Sequence, residues 1–206
     1  MRLFILGATG NTGRELTQLG LSRGHQVTAF VRSPDKITLR LPGLSVVPGD
    51  PLDPAQLGAA LPGHDAVLSA LGPAFSEAFR PSTLMQRAAA STVLAMTAGG
   101  VARLAITSAA VLFPTPGLFY SFFRWLLREH ARDLEGMERV VRESSLEWTI
   151  GRPPRLVHAG DARYLSQRGG LPPANRSVSF RAFATFLLDC VEQGSHVREV
   201  VGVGHA

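Results

Sequence analysis

The stretch Gly7-Ala8-Thr9-Gly10-Asn11-Thr12-Gly13 follows the apolar run Leu3-Phe4-Ile5-Leu6 and leads into a helical pattern over residues 14–21. In a G-x-x-G-x-x-G turn the first glycine allows a sharp change of direction and the second lets a phosphate approach bare backbone. The third lets the helix pack against the strand. The sequence therefore predicts a dinucleotide-binding turn between a strand and a helix. Its expected cofactor contacts are Gly7, Thr9, Gly10, Asn11, Thr12 and Gly13, of which the polar side chains contact phosphate or cap the helix.

Strand and helix patterns alternate along the rest of the chain. Strand patterns cover residues 2–6, 26–31, 44–47, 65–71, 102–108, 146–151 and 199–203, and helix patterns cover 14–21, 54–61, 82–98, 128–143 and 181–193. Parallel strands joined by right-handed crossovers predict an α/β fold with a single doubly wound (Rossmann) sheet of order 3-2-1-4-5-6, an extra edge strand and helices on both faces. Residues 159–177, rich in Gly, Pro and Arg, are predicted to be irregular.

Length and charge limit the domain count and the partners. With 206 residues, 45% of them hydrophobic, we expect one domain over 1–206, in which residues 110–180 form the substrate side. The net charge of +5 comes from arginine, because Lys36 is the sole lysine, and no run of five basic residues occurs. No nucleic-acid partner is therefore predicted. We expect most of the arginines, a group that includes Arg103, to lie on solvated helix faces.

The chain shows no sign of secretion, metal binding or membrane insertion. A strand at residues 2–6 argues against a signal or transit peptide, and no apolar run reaches about 18 residues. We therefore expect a cytoplasmic monomer or homodimer with no membrane segment. The lone Cys190 lies in an amphipathic helical pattern and is expected in the core. The six histidines have no metal-ligand spacing, so no metal site is predicted.

The end of the second strand bears on the choice of cofactor. An acidic residue there accepts from the ribose 2′-hydroxyl, whereas an arginine favours a 2′-phosphate. Arg32 and Ser33 occupy this position, so NADP(H) is predicted over NAD(H); the alternative is that Asp35 reaches the ribose. Asp50, after the third strand, is predicted to bind the adenine amino group. The middle of the cofactor is expected to border the residues that close the fourth strand, Ala70, Leu71 and Gly72.

Several motifs together resemble one known family. They are the glycine turn, Val31-Arg32, Gly49-Asp50, Asp65-Ala66-Val67, Thr107-Ser108-Ala109 and the run from Val141 to Pro153. They are similar to the atypical short-chain dehydrogenases/reductases, and the nearest branches are the NmrA-like proteins and the biliverdin-IXβ/flavin reductases. The resemblance covers nearly the whole chain and is weakest at 119–127 and 159–177.

The resemblance also implies candidate catalytic residues. Tyrosine-dependent members of the superfamily use a Tyr-x-x-x-Lys pair, which a chain whose only lysine is Lys36 cannot form. Tyr120 keeps the spacing with Arg124 in place of lysine, twelve residues after Ser108, and stays a candidate catalytic and substrate residue; hydrophobic anchoring is the alternative. Ser108 is expected to orient nicotinamide or substrate by a hydrogen bond.

Other residues are assigned to the nicotinamide and substrate side. Thr107 and Pro153 would lie beside the nicotinamide, and Phe113 would contact the substrate. Arg155 would clamp a carboxylate or phosphate of the substrate, or pair with Asp161. Three titratable side chains on the helix before the sixth strand are expected at the surface, namely His130, Asp133 and Glu138.

Three functional hypotheses follow. The first is an NADP(H)-dependent oxidoreductase that transfers hydride to a flat conjugated small-molecule acceptor, such as a flavin or quinone. The second is a non-catalytic NADP(H)-binding sensor or regulator of the NmrA-like type, which acts through a protein partner. The third is a sugar-nucleotide or small-carbonyl enzyme that uses Tyr120.

Overall fold

Strands and helices alternate in the computed structural model, which describes residues 1–72, 81–114, 127–173 and 176–206. The strands are β1 (Arg2–Leu6), β2 (Gln26–Val31), β3 (Leu44–Pro48), β4 (Ala66–Ser69), β5 (Arg103–Thr107), β6 (Glu147–Arg152), β7 (Arg155–Val157), β8 (Tyr164–Arg168), β9 (Ser177–Ser179) and β10 (Glu199–His205). The helices are α1 (Asn11–Ser22), α2 (Pro54–Ala60), α3 (Leu84–Gly99), α4 (Arg128–Glu143) and α5 (Phe180–Glu192). None of the helices within these ranges is long and apolar enough to cross a membrane.

The main sheet has the strand order β3-β2-β1-β4-β5-β6-β10-β8 in the described residues. Neighbouring strands run parallel, except for the antiparallel pair β10 and β8. The predicted doubly wound order 3-2-1-4-5-6 is confirmed. β7 and β9 form a separate parallel pair beyond this sheet. The direction of winding changes between β1 and β4, so a crevice is expected at the carboxyl ends of these two strands.

The irregular segment predicted over 159–177 contains strand β8, so that prediction is wrong for residues 164–168. β8 pairs with β10 and leaves β10 inside the sheet rather than at its edge. Four of the five residues of β8 are exposed, and their polar and apolar side chains do not alternate. A strand exposed on both faces lacks the period-two pattern by which strands are recognised in a sequence.

The core is divided between the two faces of the sheet. Leu3 and Ile5 of β1 pack with α1 and α5 on one face, and Phe4 and Leu6 pack with α2, α3 and α4 on the other. All four side chains are fully buried. A strand covered on both faces is therefore a continuous apolar run, which is why the sequence marks β1 so clearly.

Arg103, expected on a solvated surface, is buried at the start of β5 with 7% of its surface exposed. Its guanidinium donates to the backbone carbonyls of Glu147, Cys190 and Ser195 and to the hydroxyl of Thr149, at 2.6–2.8 Å. Burial lowers the pKa of Arg103 below its usual value. A buried cation with these four acceptors joins β5, β6 and the end of α5.

Cys190 lies in the core, as predicted, and is 1% exposed. Burial raises the pKa of its thiol to about 12. Because the thiolate is the reactive form, this cysteine stays an unreactive thiol at neutral pH.

The glycine turn depends on close backbone contacts. A Cβ atom at Gly13 would lie 2.6 Å from the carbonyl carbon of Gly7 and 2.7 Å from Cα of Ala8. Gly7 has a positive φ of 78°, and a Cβ there would lie 2.5 Å from the carbonyl oxygen of Ala70. Both positions therefore require glycine for α1 to start against the end of β1.

We expect Gly13→Ala to lower the free energy of unfolding by about 3 kcal/mol, because backbone atoms must move to admit the methyl group. The matched control is Gly58→Ala in α2, where a Cβ would meet nothing within 4 Å. There the substitution is expected to raise stability by about 0.5–1 kcal/mol. Urea denaturation followed by circular dichroism measures both, and equal stability of the two variants would contradict the packing argument.

Candidate functional site

The amino end of α1 forms the first part of the candidate site. Gly10 is its N-cap residue, and the carbonyl of Gly10 accepts from the N–H of Arg14 at 2.9 Å. Among the described residues no side chain accepts from the amino end of α1, so Thr9, Asn11 and Thr12 do not cap the helix, and their contact with phosphate stays a prediction. The first N–H groups of a helix have no partner within the helix. Those of α1 therefore stay available to an anion.

The space over Gly10 is open in the described residues. A Cβ there would have one neighbour within 4 Å, the carbonyl oxygen of Gly7 at 3.4 Å. The contact of Gly7 with Ala70 places Ala70 and Leu71 beside the turn, and the next residue, Gly72, is exposed. The turn and the end of β4 thus lie together at the carboxyl edge of the sheet.

The end of β2 and the loop after β3 hold the residues assigned to the adenosine part of a dinucleotide. Arg32 is exposed and Ser33 is half-buried, directly after β2. Asp35 is also exposed, so both candidates for the ribose or its phosphate are accessible. One carboxylate oxygen of Asp50 accepts from the N–H of Leu52 at 3.0 Å, which orients this side chain.

A buried polar cluster lies at the carboxyl ends of β5 and β6. Thr107 is paired with Gly151, so the next positions, Ser108 and Arg152, face α4 together. The carboxylate of Glu138 accepts from the hydroxyl of Ser108 at 2.7 Å and from two guanidinium nitrogens of Arg152, each at 2.8 Å. These bonds tie the end of β5 to β6 through α4.

Two acidic residues of α4 are buried, contrary to the prediction. His130 is half-buried, but Asp133 and Glu138 are 4% and 3% exposed. The carboxylate of Asp133 accepts from the N–H groups of Met85 and Gln86, at 3.1 and 2.9 Å, and so satisfies the amino end of α3. The prediction of both carboxylates at the surface is wrong because each has buried partners on other elements, which the helix sequence does not show.

Helical periodicity contains a signal that identifies these two acids. Asp133 precedes the buried Leu134, Glu138 follows the buried Met137, and Val141 lies one turn farther along the same face. An apolar stripe of a core-facing helix is at least about 100° wide, so residues adjacent to its centre are also covered. Charged residues inside such a stripe are candidates for buried pairs.

The remaining residues assigned to the nicotinamide side lie around this cluster. The hydroxyl of Thr107 is buried and has no hydrogen-bond partner among the described residues. Pro153 is buried, and its carbonyl accepts from the N–H of Ala110 at 2.9 Å. The ring centroid of Phe113 lies 4.6 Å from the guanidinium carbon of Arg152. Phe113 therefore covers the cluster.

One expectation for the residues on the substrate side, the pairing of Arg155 with Asp161, is wrong. Arg155 is exposed on β7, and Asp161 accepts from the guanidinium of Arg163 at 2.7 Å. Hydrogen bonds from the backbone and side chain of Arg163 lower the pKa of Asp161. Tyr120 lies outside the described residues, as do residues 119–126 of the aromatic stretch over 119–127.

A family model described as NAD(P)H-binding matches residues 7–194, beginning at the first glycine of the turn. The chain belongs to the NAD(P)H-binding family. This membership confirms the resemblance to the atypical short-chain dehydrogenases/reductases, whereas the NmrA-like and flavin reductase branches stay predictions. The features of α1 fit the cofactor class of the family: uncapped N–H groups for phosphate and open space over Gly10.

Relatives and solved structures agree with this assignment. A chloroplastic divinyl chlorophyllide a 8-vinyl-reductase from Zea mays is 29% identical over 98% of this chain and 54% of its own length, so the chain spans about half of that relative. A Rossmann-fold NAD(P)-binding protein from Shigella flexneri is 25% identical, with a TM-score of 0.75 over 99% of this chain and 93% of that one. A short-chain dehydrogenase/reductase from Veillonella parvula in complex with NADP shares the fold, at 22% identity and a TM-score of 0.79 over 99% and 94%.

The buried cluster predicts unequal effects of two substitutions on stability. Glu138→Ala leaves the guanidinium of Arg152 buried without its carboxylate and is expected to lower the free energy of unfolding by about 3 kcal/mol. Arg142 also donates to Glu138, at 2.9 Å, but its side chain is 46% exposed. Arg142→Ala is therefore expected to lower stability by less than about 1 kcal/mol. Urea denaturation compares them, and similar losses would refute the burial argument.

Proposed function

We propose that the chain is an NADP(H)-dependent oxidoreductase that reduces a flat conjugated acceptor, such as a flavin or a quinone. The observation that carries this proposal is the uncapped amino end of α1 with open space over Gly10, in a chain of the NAD(P)H-binding family. Reduction is supported by the maize relative, whose name describes a vinyl-reductase. The preference for NADP(H) is supported by the exposed Arg32 after β2.

Different residues of the chain bind different parts of the cofactor. The N–H groups at the start of α1 bind the pyrophosphate, and Arg32 with Ser33 binds the 2′-phosphate. Asp50 accepts from the adenine amino group, residues 70–72 border the middle of the cofactor, and Pro153 lies beside the nicotinamide. When bound, the nicotinamide supplies hydride.

The acceptor class is inferred from the acid groups available. Lys36 is the only lysine and follows β2, so a Tyr-x-x-x-Lys pair is impossible in this chain. Flavins and quinones are already electrophilic and take a proton from solvent, so orientation of the acceptor matters more than a strong acid. This chemistry suits a site in which the buried charged groups at the ends of β5 and β6, Glu138 and Arg152, are paired with each other.

We expect Arg32→Ala to weaken binding of NADPH by about 10- to 100-fold, because a charge-assisted hydrogen bond to the 2′-phosphate is lost. NADH, which lacks this phosphate, should bind within about twofold of the wild type. Arg87→Ala, at an exposed position on α3, serves as the matched control. Titration calorimetry measures the affinities of the wild type and both variants for NADPH and NADH, and equal weakening of both dinucleotides by Arg32→Ala would contradict the assignment of Arg32.

The activity test uses purified protein with NADPH and each of FMN, FAD, menadione and dichlorophenolindophenol. NADPH oxidation above the protein-free rate is expected with at least one acceptor. Gly10→Ala should lower that rate, because its methyl group occupies the phosphate space, while the fold is retained because its closest contact would be 3.4 Å. If NADPH binds and none of the four acceptors is reduced, the reductase proposal fails.

One observation supports the sensor or regulator as a second candidate. The hydroxyl of Ser108 donates to Glu138, so it is not free to donate to a substrate oxygen. A non-catalytic chain would bind NADP(H) with the same dependence on Arg32 and reduce no acceptor. The same activity test therefore separates the two candidates.

A further inference from the structure

Both hydrogen-bond donors of Ser108 are used within the protein. Its backbone N–H donates to the carbonyl of Gly151 at 2.8 Å, which extends the pairing of β5 with β6. Its hydroxyl donates to Oε1 of Glu138 at 2.7 Å. A serine hydroxyl has one proton and two lone pairs. The side chain of Ser108 can therefore offer a ligand only a lone pair of Oγ.

The direction of the Ser108–Glu138 hydrogen bond follows from the other partners of the carboxylate. Oε1 also accepts from Nε of Arg152, and Oε2 accepts from Nη2 of Arg152 and Nη2 of Arg142, at 2.8–2.9 Å. A carboxylate has about four lone-pair sites, and here four donors fill them. Guanidinium groups carry no acceptor, so Glu138 is held as an acceptor and Ser108 must be the donor.

The cluster is also fixed in place. Ser108, Glu138 and Arg152 are 5%, 3% and 8% exposed, and Phe113 lies over the guanidinium of Arg152. Turning the hydroxyl of Ser108 away from Glu138 would leave a buried carboxylate oxygen short of one partner, which is unfavourable in a site closed to water. The hydroxyl therefore keeps one orientation during ligand binding.

We propose that Ser108 is a hydrogen-bond acceptor that selects an N–H group on the bound ligand, and that Glu138 and Arg152 are positioning residues that set this polarity. Ser108 is the first residue after β5, at the carboxyl edge where the family binds its dinucleotide. The inference rests on the proposed function. Two ligand groups have this chemistry, the carboxamide NH₂ of nicotinamide and the imide N–H of a flavin ring.

The experiment measures binding with ligand pairs that differ in the N–H group. NADP⁺ is compared with its 3-acetylpyridine analogue, in which a methyl group replaces the carboxamide NH₂. Lumiflavin is compared with 3-methyllumiflavin, in the presence of NADP⁺. In one of the two pairs, the wild type should bind the ligand without the N–H group (the 3-acetylpyridine analogue or 3-methyllumiflavin) about five- to tenfold more weakly than the ligand that has it. The pair that shows the difference identifies the source of the N–H group.

Substitutions then assign this preference to the cluster. Ser108→Ala should reduce the affinity ratio of that ligand pair to about twofold or less, whereas Ser144→Ala, which removes a hydroxyl bonded to the carbonyl of Val141, should leave it unchanged. The side-chain amide introduced by Glu138→Gln can both donate and accept hydrogen bonds, so the hydroxyl of Ser108 is no longer forced to donate to it. This variant should therefore also reduce the affinity ratio of the ligand pair. Glu143→Gln, at the exposed end of α4, is its matched control. A purely structural role of Glu138 would change stability without changing the ratio.

The possible failures are distinguishable. If neither NADP(H) nor NAD(H) binds the wild-type protein, the proposed function fails. If dinucleotides bind but neither ligand pair is discriminated, or if Ser108→Ala keeps the full discrimination, the acceptor role of Ser108 is overturned. Should Glu138→Gln fail to fold, the comparison of Ser108→Ala with Ser144→Ala still decides the question.

Discussion

The close backbone contact between Gly13 and Gly7 sets where α1 begins relative to β1. A single methyl group at Gly13 would overlap the carbonyl carbon of Gly7, so the helix can lie against the strand end only without a side chain at that position. Gly7 in turn touches the carbonyl of Ala70, which brings the end of β4 to the same turn. The amino end of α1, the end of β1 and the end of β4 are therefore positioned by backbone atoms alone. The order of the sheet then places this point where its winding reverses, and the candidate site is built around it.

Strand β5 is held by charged groups at both of its ends. At its start the guanidinium of Arg103 donates to carbonyl groups on β6, in α5 and just beyond α5, and at its end the hydroxyl of Ser108 donates to the carboxylate of Glu138. Each cluster is buried and its polar atoms are largely paired, which is the condition under which such groups are tolerated in a core. A shift of β5 by one residue would separate both clusters from their partners. The position of Ser108 at the carboxyl edge thus depends on a contact at the opposite end of the strand.

Local patterns were sufficient for the elements that are covered on one or both faces. The apolar run of β1, the glycine turn and the alternation of strands with helices predict the correct strand order. They do so because burial and backbone geometry restrict which residue types occur at neighbouring positions. Apart from Arg142, one helical turn from Glu138, the partners of Glu138 and Arg103 lie 14 to 92 residues away, so no local pattern identifies these distant partners. Both were therefore expected at the surface. β8 was missed for the opposite reason, since its exposed residues carry no pattern at all. The family resemblance identified Ser108 but contained nothing about the direction of its hydrogen bond.

The cap that Asp133 provides for α3 also affects where a negative ligand can bind. An α-helix carries roughly half a positive elementary charge at its amino end, through its macrodipole. In α3 and α2 this charge is balanced by the carboxylates of Asp133 and Asp53, and in α5 the neutral hydroxyl of Ser179 accepts from one of the free N–H groups. Among α1, α2, α3 and α5, whose amino-terminal flanks are described, α1 is the helix whose amino end meets no side-chain acceptor from the described residues. An arriving phosphate is thus directed to α1 as much by the acceptors already present at the other helix ends as by attraction to this one.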